Sequence, residues 1–137
     1  METLKRLAPH AHWLLRIALA SVFLYHGLDK FLDLAGAAEM MESMPMAVLV
    51  AVLETGGALL ILAGGVSKDW MTRVGGLLIV PVMLGAIFMV HWGQWSFMPS
   101  ETHPVGGIEF QFTLLMIALY FAVVGNGIQK ETVAPAA

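Results

Sequence analysis

Four long apolar stretches, residues 11–30, 44–66, 70–92 and 108–125, alternate with short polar ones along the chain. Each is close to the roughly 20 helical residues that cross a hydrocarbon core of about 30 Å, and each predicts a membrane-spanning helix. The connection centred on Ser67, Lys68 and Asp69 is very short, which makes the second and third helices antiparallel neighbours. The pattern predicts an all-α fold, an integral membrane up-down four-helix bundle, with residues 1–137 forming one domain. The remaining connections are too short to fold alone.

Composition sharpens this reading. The 137 residues are 58% hydrophobic and 12% charged, with a mean hydropathy of +0.79. Soluble domains run near 45–50% apolar and about 25% charged, so a membrane protein is indicated. Cysteine is absent, which excludes disulfides, thiol relays, thiolate zinc sites and cysteine-ligated clusters. The net charge of -3 offers no basic surface for nucleic acid. A cleaved leader ending near Ala18-Leu19-Ala20 is the minority reading, because Arg16 interrupts its apolar region and the run continues through Val22, Phe23 and Leu24.

Charge sets the expected orientation. Lys5, Arg6, Arg16, Lys68, Arg73 and Lys130 fall at the termini or in the second connection, and Lys30 alone lies on the other side. The positive-inside rule then predicts that both termini are cytoplasmic. Gly56-Gly57, Gly64-Gly65 and Gly75-Gly76 permit close approach of the second and third helices, and Pro81 removes one backbone donor from the third. Trp13, Trp70, Trp92 and Trp95 sit near predicted helix ends, as interfacial anchors do. Arg16 and Arg73 are read as topology signals whose long side chains reach the headgroups. His10, His12 and His103 receive no role.

Glu54 needs a stronger explanation. It lies about nine residues into the second helix, roughly 14 Å along its axis and near the membrane midplane. A carboxylate there costs on the order of 2.5–3.5 kcal/mol on insertion scales, so it is expected to face the bundle, paired or protonated. Ala47, Ala51, Glu54 and Ala58 follow helical spacing and form a narrow face suited to helix contact. A structural role, holding two helices by a hydrogen bond, weighs equally with a functional one. His26 and Lys30 (i, i+4) near the end of the first helix, His91 at the end of the third and Glu109 at the start of the fourth are expected in the same outer half.

Such a group of residues fits three chemistries. Imidazoles and carboxylates can pass protons, with Lys30 favouring an ionised neighbour. Two His and two Glu could bind a metal, although no Glu-x-x-His signature is present. A quinone entering from the membrane could accept hydrogen bonds from His26, Lys30 or His91, with Glu54 and Glu109 handling protons. Spacing alone leaves the three open. The run EMMESMPM (39–46) offers thioethers for Cu(I), but methionine is ordinary apolar filling, and an interfacial turn is the favoured reading; no metal site is assigned.

Taken together, RIALASVFLYHGLDKF, LETGGALLILAGG, TRVGG, His91, GGIEF and GNG resemble the DoxX family of small four-helix bacterial inner-membrane proteins over about residues 12–128. His26, Gly27, Lys30 and Glu54 match the family's recurring polar positions. The family is named for a subunit of a thiosulfate:quinone oxidoreductase, so the resemblance implies a membrane subunit supporting a respiratory or detoxifying oxidoreductase. It further implies a membrane or peripheral redox partner, with quinone as the candidate cofactor. The alternatives are a non-catalytic anchor or assembly partner and a small transporter or metal-handling protein. Self-association is left open.

Overall fold

The computed structural model describes residues 1–127, so Lys130, counted above among the cytoplasmic charges, lies outside the described residues. Among those described, six α-helices form and no strand does: α1 (Glu2–Leu7), α2 (His12–Leu32), α3 (Leu34–Met40), α4 (Met44–Gly64), α5 (Asp69–Gly85) and α6 (Glu109–Val124). The four apolar stretches correspond to α2, α4, α5 and α6. The count of six exceeds the expected four because α1 and α3, with 6 and 7 residues, lie in the amino-terminal segment and the first connection. Both are too short to register as apolar spans.

Local chemistry explains these boundaries. The Asp33 carboxylate accepts from Gly36 N at 3.0 Å and starts α3, and the Ser43 hydroxyl accepts from Met46 N at 3.3 Å to start α4. Pro45 occupies the first turn of α4, where a missing N–H costs little. The methionines of 39–46 therefore belong to the end of α3 and the first turn of α4. Beyond Pro81, α5 continues as a π-helical turn (Ala86–Val90), closed by His91 N donating to Ala86 O at 3.0 Å. A π turn shifts the angular position of the residues after it, and here it precedes His91.

The helix α4 is central, packed between α2 and α5, and α5 in turn packs on α6. Glycine lets these backbones approach: a Cβ at Gly75 would lie 2.8 Å from Gly57 O, and one at Gly76 would lie 2.6 Å from Ala118 O. Leu19, Phe23, Ile61, Ile79, Ala118 and Phe121 fill the core. The start of α2, the end of α4, the start of α5 and the segment after α6 meet around Arg16, so successive long helices run in alternating directions.

The helix α4 and the continuous run Asp69–Val90 are each long and apolar enough to cross a membrane. Taken as one span, the segment Glu2–His10 and α2, bent by 47° at their junction, make a third such element, whereas α6 is apolar but only 16 residues long. The chain is thus an all-helical membrane protein.

Candidate functional site

On α2 the buried positions Arg16, Leu19, Ala20, Phe23 and Gly27 form one helical stripe. Extending that stripe by three residues reaches Lys30. On α4 the buried face is Ala47, Ala51, Glu54, Gly57, Ala58 and Ile61. The two faces meet at Gly27, where a Cβ would strike Thr55 Oγ1 and approach Glu54 Cβ to 3.2 Å. Glycine at this position brings the helices close enough for Lys30 Nζ to donate to Glu54 Oε2 at 2.9 Å.

Glu54 lies midway along α4, and the pair is largely withdrawn from the surface, with side-chain exposures of 13% for Lys30 and 6% for Glu54. Lys30 Nζ also donates to His26 O at 3.2 Å. Among the described residues no hydrogen bond reaches Glu54 Oε1, and the adjacent Thr55 Oγ1 is buried without a partner. The site therefore combines opposite charges with unused hydrogen-bonding capacity.

The other three sequence-predicted residues are engaged elsewhere. His26 is exposed and packs edge-on against Tyr25, with ring centroids 5.2 Å apart. The π turn delivers His91 to the start of α6: Nδ1 lies 3.0 Å from Gly106 O, and Nε2 lies 2.9 Å from Gln111 Nε2. A carbonyl only accepts, so Nδ1 of His91 is the donor to Gly106 O. Glu109 Oε2 accepts from Phe97 N at 3.2 Å, within the connection that precedes α6. No hydrogen bond or ion pair among the described residues links His91 or Glu109 to the Lys30–Glu54 pair. A shallow concavity of about 270 Å³ lined by Trp92, Gly93, Gln94, Trp95 and Ile108 also belongs to that connection rather than to the pair. No group of three or more His, Asp or Glu among the described residues is placed to hold a metal ion.

The structure corrects the expectation for Arg16. Its side chain does not extend to headgroups; it is 0% exposed. Nε donates to His12 Nδ1 at 2.9 Å, Nη1 to Thr72 Oγ1 at 2.9 Å and to Ile61 O, and Nη2 to Asn126 Oδ1 at 2.7 Å. The guanidinium also lies 4.9 Å from the centroid of the Phe121 ring. Thr72 Oγ1 donates onward to Asn126 Oδ1 at 2.8 Å, and Asn126 Nδ2 donates to Gly64 O at 2.8 Å. Asn126, which no sequence pattern singles out, closes this network. The signal for Arg16 is its place on the same stripe as Lys30.

Arg73 is half-exposed and caps a helix. Its Nε donates to Asp69 Oδ2 at 2.6 Å, while Nη1 and Nη2 reach the terminal carbonyls of Ala122, Val123 and Val124 on α6.

Comparison with known proteins adds a family frame. A family model, DoxX, matches residues 11–92, which include Arg16, Lys30, Glu54 and His91. CatD of Bacillus subtilis (strain 168), a protein provisionally named an oxidoreductase, is 30% identical over 117 residues. The alignment covers 82% of this chain and 78% of that protein. No solved structure matches the chain.

Proposed function

The chain belongs to the DoxX family of membrane proteins, and from that premise we propose that it is an integral membrane subunit supporting a respiratory or detoxifying oxidoreductase. The proposal includes a quinone-accessible polar site built on Lys30 and Glu54. One observation carries it: the buried pair retains a donor on Lys30 and a free acceptor at Glu54 Oε1. A neutral, fully satisfied helix contact has no need of this spare capacity.

The donor set fits a quinone. Its ring oxygens accept hydrogen bonds, which Lys30 Nζ can supply, and Glu54 Oε1 can accept from a hydroxyl of the reduced form. When bound, a quinone supplies two-electron redox chemistry coupled to protons. The chain's part is to balance charge at Lys30 and hold or release a proton at Glu54. His26, exposed on α2 one turn before Lys30, is the outer contact of this site. His91 and Glu109 support the connection before α6 rather than touching the ligand. Four membrane crossings in one domain, with both termini in the bacterial cytoplasm, complete the reading. Lys5, Arg6, Lys68 and Arg73 cluster toward one end and Lys30 toward the other.

The rival reading is a non-catalytic anchor, favoured by the Lys30–Glu54 bridge between α2 and α4 at the Gly27 contact. Mild detergent extraction from the native membrane, followed by mass spectrometry of retained proteins and quinones, separates the two. The wild type is expected to retain a redox protein and a quinone, and Glu54→Gln is expected to keep the protein partner and lose the quinone. A partner without quinone in either sample supports the anchor. Retention of neither a redox protein nor a quinone overturns the proposal.

A further inference from the structure

We infer that the connection 93–107 lies in the apolar–polar boundary of the bilayer and fills the depth that α6 is too short to cross. The inference rests on the reading that four helices cross. At about 1.5 Å per residue, the 16 residues of α6 span roughly 24 Å, about 6 Å less than a hydrocarbon core of about 30 Å. Its neighbour Asp69–Val90, with 22 residues, is long enough to cross. The two are joined at one end by the Arg73 contacts to Ala122, Val123 and Val124. The deficit therefore falls at the other end of α6, where the connection 93–107 enters it.

Irregular backbone survives at such a depth only when its polar groups are satisfied. Here many of them are satisfied internally, and at the boundary water reaches the others. Gly107 N donates to Ser96 O at 2.8 Å, Ile108 N to Gln94 O at 3.0 Å and Glu109 N to Trp95 O at 2.9 Å. The Gln94 amide donates to Ser96 O and Met98 O, and Phe97 N is taken up by Glu109. Gly106, at φ +77°, lets the chain fold this tightly, because a Cβ there would collide with Phe97 O.

With the backbone turned inward, apolar side chains face out. Trp95, Phe97, Met98 and Val105 are each more than half exposed, as are Phe88 and Trp92 at the end of the preceding helix; the Phe88 and Trp92 rings lie 5.1 Å apart, and Trp92 and Trp95 line one concavity. This link between the connection and the end of a membrane-spanning helix points to lipid as the occupant. The aromatic residues suit the interfacial depth, and Ser100, Glu101 and Thr102 form a polar tip suited to water. Glu109, expected on sequence grounds to handle protons, has here the role of closing this backbone.

The chain contains no cysteine, so single substitutions report depth directly. Phe97→Cys, Val105→Cys, Glu101→Cys and Met116→Cys would be reconstituted in phosphatidylcholine–phosphatidylglycerol vesicles, with folding checked by circular dichroism and gel filtration. Labelling uses a charged maleimide, with freeze–thaw to admit it to both faces. Positions 97 and 105 are expected to react about tenfold more slowly than 101, with 116 protected. Equal rates at 97, 105 and 101 with 116 protected overturn the inference alone, whereas a reactive 116 shows that α6 does not cross. A second readout needs no cysteine: in W13F/W70F, brominated lipid is expected to quench the remaining Trp92 and Trp95. Slow labelling without quenching assigns this surface to contact between copies and also overturns the inference.

Discussion

Arg16 and Lys30 lie on one stripe of α2 about four turns apart, and both Arg16 and the Lys30–Glu54 pair bury charge among apolar helices, yet the two sites are built differently. Arg16 makes four hydrogen bonds to neutral groups drawn from α2, α4, α5 and the segment after α6, and an aromatic ring covers it. The pair joins only α2 and α4, and Glu54 keeps one oxygen without a hydrogen bond. A buried charge whose contacts are saturated by several helices acts as a clamp. One that is balanced but incompletely satisfied leaves room for a ligand or a proton.

The comparison is broken most severely at the clamp. Arg16→Met removes every one of those contacts and leaves Thr72 and Asn126 with fewer partners, for a loss on the order of 5 kcal/mol. Arg16→Lys is expected to rescue little, because an ammonium cannot reproduce the planar fork. Unfolding in detergent, followed by circular dichroism and gel filtration, checks both. Wild-type stability in Arg16→Met would remove the clamp.

At the pair the expected loss is smaller. Glu54→Leu leaves the Lys30 ammonium without its counter-ion, at about 3 kcal/mol, partly relieved because Lys30 is slightly exposed and can swing outward. Adding Lys30→Met should return stability to within about 1 kcal/mol of wild type, since two apolar groups replace two opposed charges. A double variant as unstable as Glu54→Leu would mean that the charges are not coupled. Together, the two variants distinguish a tolerated ion pair from an indispensable clamp.

Much of this arrangement is legible in the sequence. The apolar run lengths predict the four long helices, and the Ala47–Ala51–Glu54–Ala58 spacing predicts the buried face of α4. Topology brings Lys30, His26, His91 and Glu109 to the same half of the molecule as Glu54 without choosing among them, and the structure pairs Glu54 with Lys30. Arg16 escapes a sequence reading because an arginine four residues into a helix is ordinarily able to reach headgroups. Its burial depends on Thr72 and Asn126, distant in sequence and individually unremarkable. The short helices α1 and α3 depend on local caps and turns that apolar run length does not report. His91 and Glu109 share an end of the molecule with Lys30, but helix rotation and the π turn decide which neighbours they meet.

Arg73 provides the smallest and most condition-dependent test. It shares the positive end with Arg16, but its side chain is 41% exposed, and its ion pair with Asp69 is open to water. An exposed pair contributes about 0–1 kcal/mol, and the favourable placement of a cation at a helix carboxyl end contributes a similar amount. Arg73→Met is therefore expected to cost about 1 kcal/mol at low salt and less at high salt, where screening weakens both contributions. The matching measurement on Arg16→Met should show almost no salt dependence, because solvent ions do not reach a side chain that is 0% exposed. If the two arginines responded to salt alike, the distinction between an enclosed clamp and a surface cap would fail, although both contact the same end of the helix assembly.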